Sequence, residues 1–237
     1  TMGLVTEAYD LSSRLWFDSE EQRTVEQSYV LSQQFNGPVH SSAQEMTLKY
    51  HRGQATLAID IRAHDEGIAF RYRVSGLGKT RVVREHTRFT FPEETGLWAS
   101  PYRQAKDYEE RYPYVSAERI EGQHYSLPVL ASIRNNRIWS LVTEAGTYVH
   151  PTYPASHLRG VSTSKRSFEF RLPGPDESPT TDQDEKTTFL TEESLQTPWR
   201  VLLTSKSLDR LTNTSMLTDL NPAVTTAEDL SWIRSGK

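Results

Sequence analysis

The sequence predicts an all-β chain, a large antiparallel β-sandwich in one domain. Three observations carry that prediction. Apolar residues recur at every second position over residues 56–62 and again over 68–74, turn-forming clusters separate these and several similar runs, and no long segment keeps a helical period.

The clearest run is 56–62, where Leu57, Ile59 and Ile61 alternate with smaller or polar residues, as a half-buried strand requires. His64, Asp65, Glu66 and Gly67 then read as a turn in which glycine relieves the steric limit of a tight hairpin. Ile68, Phe70, Tyr72 and Val74 alternate with Ala69, Arg71 and Arg73, so the two runs form a β-hairpin. The next stretch, Gly76-Leu77-Gly78-Lys79-Thr80, is superficially like a phosphate-binding loop. The first glycine of that motif would fall at Arg73, however, and Val82-Val83-Arg84 reads as strand, so a hairpin turn is the better reading.

Short strand-like runs recur at 46–50, 88–91, 138–143, 168–172 and 199–204. Two packed sheets, each burying one face, accommodate this pattern, which does not specify strand order. Residues 173–197 carry Pro173, Pro175 and Pro179 among many acids, serines and threonines, and read as a long surface loop. The segment after it, 217–233, is too short for a second core, so residues 1–237 are expected to form a single domain.

Composition removes several function classes. The formal charge is -4 and no Lys/Arg block occurs, so the footprint of a nucleic-acid binder is missing. Apolar runs such as 127–133 are far too short to span a bilayer, and no membrane partner is expected. Without cysteine there is no disulfide framework, thiolate metal site or cysteine nucleophile.

Self-sufficient chemistry is hard to find. Glycosidic hydrolysis needs two carboxyl groups at a defined separation. The doublets Glu20-Glu21, Glu93-Glu94, Glu109-Glu110 and Glu192-Glu193 read as solvated faces rather than such a pair. His150 and His157 lack any zinc-binding spacing and are read as surface or loop histidines, and no Gly-x-Ser-x-Gly elbow occurs. Between residues 98 and 114, Trp98, Tyr102, Tyr108, Tyr112 and Tyr114 stand beside Arg103, Asp107, Glu109, Glu110 and Arg111. Such a mixture suits a sugar-stacking platform, and it suits equally a loop packed onto the sandwich or onto another domain.

Several segments, in order, resemble the N-terminal domain of glycoside hydrolase family 97. They are residues 61–72, 85–91, Tyr108-Glu109-Glu110-Arg111-Tyr112, Leu127-Pro128-Val129-Leu130, Leu141-Val142-Thr143-Glu144-Ala145, Thr197-Pro198-Trp199-Arg200, Leu220-Asn221-Pro222 and 232–237. Ser235 departs from the pattern, standing where the family usually has proline, and the opening 45 residues match only loosely. The resemblance implies a galactose-mutarotase-like super-sandwich packed on a following (β/α)8 barrel, in a calcium-dependent exo-acting enzyme on α-glucosides or α-galactosides. The catalytic acid and its partner would lie in that barrel, beyond this chain, which is expected to be inactive alone.

Within this chain the resemblance implies one metal ligand, Glu144, holding Ca2+ together with barrel residues. A carboxylate at a strand end suits a hard cation that takes oxygen ligands. Trp199 and Arg200 admit two readings, a buried Trp199 with Arg200 paired to an acid at the domain interface, or an Arg200 that touches substrate. Tyr108 and Tyr112 are further candidates for substrate or interface contact. The partners implied are the barrel and an oligosaccharide, and the location a periplasm or the exterior. The competing reading is a free-standing carbohydrate-binding or structural sandwich, which would present a polar surface with one ringed groove instead of an uncovered apolar docking patch.

Overall fold

The computed structural model describes residues 2–30, 38–103, 110–148, 153–174 and 189–221. Strands run in the order β1 (Met2–Thr6), β2 (Trp16–Tyr29), β3 (Val39–Arg52), β4 (Ala55–His64), β5 (Gly67–Ser75), β6 (Thr80–Thr90), β7 (Thr95–Trp98) and β8 (Tyr114–Ser116). They continue as β9 (His124–Tyr125), β10 (Val129–Ile133), β11 (Ile138–Ala145), β12 (His157–Gly160), β13 (Ser167–Arg171), β14 (Leu190–Thr191), β15 (Ser194–Gln196) and β16 (Trp199–Ser205). Two short helices end the described chain, α1 (Leu208–Thr212) and α2 (Met216–Asp219).

These strands make two antiparallel sheets. The smaller has the order β1-β6-β13-β12-β9, with β14 also paired to β6; the larger has β2-β3-β4-β5-β16-β11-β10-β7-β8, with β15 also paired to β5. The predicted hairpin is present, with Leu57 opposite Val74 and Ile59 opposite Tyr72. Its inward side chains join Leu4, Leu11 and Val82 in one core cluster, while Phe91, Leu97, Val129, Val142, Leu158 and Phe168 build a second between the same two sheets. A third cluster lies on the outer face of the large sheet, where Leu211, Met216 and Leu220 of the helical segment cover Ala69, Trp199, Val201 and Leu203.

An irregularity in β6 turns an acid into the core. Val5 pairs with Arg84 but Thr6 pairs with Val82, so Val83 is an extra residue in the ladder. Such a bulge shifts the alternation by one, and Val82 and Glu85, three apart, are both buried between the sheets.

Three expectations need correction. The 76–80 turn is not a hairpin, because β5 lies in the large sheet and β6 in the small one; the loop crosses the sandwich, with Gly76 at φ +71° and Gly78 at φ +63°. Gly67 is required for a different reason from the one inferred: it starts β5, and a Cβ there would lie 2.3 Å from the Leu202 carbonyl oxygen of β16. Within the expected 173–197 loop, β14 and β15 pair with β6 and β5; residues 175–188 of that stretch lie outside the described residues. At the end of the described chain, Tyr29 of β2 donates to Asp219 of α2 at 2.5 Å and ties that turn down. None of the helices among the described residues is long and apolar enough to cross a membrane.

Candidate functional site

Trp199 and Arg200 are adjacent on β16, so alternation sends their side chains to opposite faces of the large sheet. Trp199 faces outward yet is 2% exposed, covered by this domain's own residues: the Arg71 Cζ lies 4.3 Å and the Arg62 Cζ 5.0 Å from its ring centroid. Arg200 faces inward and has no exposed surface. The acids it pairs with reach it from both sheets, and this domain's own residues cover the guanidinium.

Those acids are Glu85 and Glu144. Arg200 Nε donates to Glu85 Oε1 at 2.8 Å and Nη2 donates to Glu85 Oε2 at 2.5 Å, while Nη1 donates to Glu144 Oε2. Glu144 of β11 is the cross-strand neighbour of Arg200, so the ladder itself sets that contact. Glu85 comes from the opposite sheet, aimed inward by the bulge. It also accepts from Tyr153 Oη and, at 2.8 Å, from Thr87 Oγ1, whose own hydroxyl is 3.0 Å from Tyr72 Oη. The ring of Phe170 completes the enclosure, 4.3 Å from the Arg200 Cζ.

The charge balance in this cluster is unequal. Two carboxylates face one guanidinium, and the side chain of Glu85 is 1% exposed against 11% for Glu144. Burial pushes the Glu85 carboxyl up, but Arg200 together with the hydroxyl donors outweighs burial and holds it below the usual range. At Glu144 burial wins: its pKa is raised, Arg200 opposing and the Glu85 charge adding to the rise. Glu85 takes two of the guanidinium contacts and Glu144 one, so Glu144 is the less fully paired carboxylate. Burial, and after it the neighbouring Glu85, also lifts the Tyr153 phenol well above its ordinary value.

Glu144 opens onto a cavity of about 170 Å³ bordered by Tyr102, Ser126, Leu127, Thr143, Ala155 and Ser156. The Ser156 hydroxyl weakly favours the Glu144 charge but is not in hydrogen-bond geometry, and it is buried without a partner. The cavity thus brings hydroxyl-bearing residues, Ser126, Thr143 and Ser156, and apolar ones, Leu127 and Ala155, to the border of the Glu144 carboxylate. This fits a hard cation, with Glu144 as one ligand. It does not suffice alone, because among the described residues no three His, Asp or Glu side chains converge as a ligand set.

The aromatic stretch divides. Tyr102 is buried and stacks on His157, centroids 4.2 Å apart and planes 2° from parallel, while Trp98 packs edge-on against Tyr114 and tilts over Trp139. Tyr112 is 44% exposed, and Tyr108 lies outside the described residues. His157 corrects the surface reading: it is fully buried on β12, inside the small sheet, with Nε2 3.0 Å from His124 Nδ1. Burial first, and then the neighbouring His124, Arg171 and Arg159, keep its pKa well below the ordinary value. His150 lies outside the described residues.

A second polar cluster sits on the outer face. Asp60 accepts from Thr47 Oγ1 at 2.9 Å, Arg71 Nε at 2.9 Å and Arg73 Nε and Nη2 at 2.7 Å each. Burial alone would raise its pKa, but the two arginines pull it down to about 2.

The last described residue lies near Glu144. Asn221 Oδ1 accepts from Gly146 N at 2.9 Å, two residues beyond Glu144, so the last described residue stands at the same end of the sandwich.

Comparison with known proteins agrees with this architecture. A Glycoside Hydrolase Family 97 enzyme from Pseudoalteromonas sp. strain K8, solved with acarbose, superposes with a TM-score of 0.83 at 19% identity, over 98% of this chain and 34% of that one. A β-arabinopyranosidase superposes with 0.79 at 25% identity, over 96% of this chain and 38% of the other. The α-galactosidase from Lactobacillus brevis shares the fold more distantly, with a TM-score of 0.51 at 11% identity over 86% of this chain and 28% of its own. This chain therefore spans little more than a third of the length of the first two structures. Curated proteins yield no match. The model of the glycosyl-hydrolase 97 N-terminal domain matches residues 1–222, and the chain belongs to that family.

Proposed function

We propose that this chain is the non-catalytic N-terminal domain of a calcium-dependent, exo-acting α-glycosidase on α-glucosides or α-galactosides, exported to a periplasm or the exterior. In this reading it packs on a catalytic barrel of the same polypeptide and contributes Glu144 to a calcium site that barrel residues complete. The observation that carries it is the Glu144 carboxylate, held by Arg200 on one side and bordering a small cavity on the other, near Asn221, whose side chain accepts from Gly146 N. Glu85 does not compete for the role, because Arg200, Tyr153 and Thr87 occupy it.

Bound calcium would act there as a Lewis acid or as an anchor for a catalytic carboxylate. The residues of this chain hold one ligand in place and keep water away from the charge pair behind it. Glu85 and Glu144 are both tied to Arg200 and do not stand free as an acid/base pair. The test is hydrolysis of aryl α-glucoside and α-galactoside, with calcium, by this chain, by a chain extended through the barrel, and by the extended Glu144→Gln variant. A silent short chain, an active long one and a calcium-sensitive loss in the variant are expected. Turnover by the short chain overturns the proposal.

A further inference from the structure

The calcium reading leaves unexplained why an acid that must bind a cation is built against an arginine. A guanidinium has donors enough to take a carboxylate on both oxygens, and a metal would then have to compete with it. The geometry shows how the competition is avoided. Glu85 takes the two-pronged contact through Nε and Nη2, leaving only Nη1 for Glu144 Oε2. Arg200 thus holds Glu144 at Oε2 and not at Oε1.

We propose that Glu85 is a positioning residue for the cation site: by satisfying Arg200 it limits the hold on Glu144 to one oxygen and leaves the other oxygen facing the cavity. This rests on Glu144 being a calcium ligand. Glu85 touches neither metal nor substrate and acts only through Arg200. Its own place is fixed by Tyr153, Thr87 and the β6 bulge, all within this domain, so the device is complete before any second domain docks.

Replacing Glu85 by an uncharged isostere would leave Glu144 as the sole counter-charge of a buried guanidinium. Both of its oxygens would be drawn to Arg200, and the local charge would fall from -1 to zero. Shortening Glu85 to Asp keeps the charge but cannot span both guanidinium nitrogens from the same backbone position, so it loosens one prong only.

The test measures Ca2+ affinity by competition with a chromophoric chelator, in the whole enzyme that carries this chain, with circular dichroism on the calcium-free proteins. Glu85→Gln should weaken binding about 10- to 100-fold, the range for residues that orient a metal ligand. Glu85→Asp should weaken it about two- to tenfold, as for one lost hydrogen bond. A merely structural role predicts the reverse order, since Asp leaves a cavity and Gln does not. In a Glu144→Gln background, Glu85→Gln should cause no further loss. Affinity unchanged in Glu85→Asp, or additive losses in the double variant, overturns the inference while Glu144→Gln still lowers affinity. If Glu144→Gln itself leaves affinity at the wild-type value, the calcium reading falls instead. If Glu85→Gln does not fold, Glu85→Asp decides alone.

Discussion

Replacing Arg200 with methionine keeps the apolar stem of the side chain and removes its charge, which tests what the guanidinium does. Three charge-assisted hydrogen bonds go with it, two donated to Glu85 and one to Glu144. Glu144 is 11% exposed and can turn toward its cavity; Glu85, at 1%, cannot reach water. The loss is capped because Glu85 can take up a proton instead. Neutralising an acid of ordinary pKa costs about 3.7 kcal/mol at pH 7 and about 1 kcal/mol at pH 5. The deficit should therefore be about 4 kcal/mol at pH 7, in keeping with broken buried ion pairs, and about 3 kcal/mol smaller at pH 5. The sign is set by linkage. In the native chain the lowered Glu85 pKa contributes stability above the unfolded pKa, lost as pH falls through the folded value; in the variant the folded pKa is raised, so stability is lost as pH rises. Urea unfolding followed by circular dichroism at the two pH values measures both quantities. A deficit below about 1 kcal/mol at pH 7, or one equal at both pH values, would refute a buried Glu85 held ionised by Arg200.

Two further predictions concern the frame around the site. Gly67→Ala should destabilise the chain by about 1–3 kcal/mol in the same assay, because the new Cβ meets backbone of β16, 2.3 Å from the Leu202 oxygen, and cannot be relieved by a rotamer change. The Asp60 cluster stabilises through a depressed pKa, so its contribution is present above the usual aspartate range and is lost as pH falls toward about 2. Asp60→Asn should cost about 2 kcal/mol at pH 7, discounted for the partly exposed Arg73, and the gap from the native chain should narrow in acid titrations of stability.

The residues made some of this architecture legible and hid the rest for identifiable reasons. The β4–β5 hairpin could be read because Leu57, Ile59, Phe70 and Tyr72 face a dry core while Asp60 and Arg71 do not, giving clean alternation. The 14-residue β2 gave no such signal: it is an edge strand, exposed along most of both faces, so nothing selects apolar residues at alternate positions. Glu85 was also invisible as a site residue. Its partner Arg200 is 115 positions away, and the bulge at Val83 breaks the alternation that would have marked it as inward-facing. Glu144 looked like an ordinary strand-end acid, singled out only by family resemblance. Its incomplete pairing emerges once the sheets bring Arg200 and Glu85 beside it.

The most direct test of the proposed shared calcium site is a calorimetric titration of Ca2+ into this chain alone and into the chain extended through the proposed catalytic barrel. One carboxylate cannot replace the hydration shell of a cation that takes six to eight oxygens. No saturable binding is therefore expected from the short chain up to about 1 mM, the weak end of protein calcium sites, whereas the extended chain should bind in a manner that depends on Glu144. Saturable micromolar binding by the short chain, or Glu144-independent binding by the long one, would contradict the claim that this domain supplies one ligand to a site completed elsewhere.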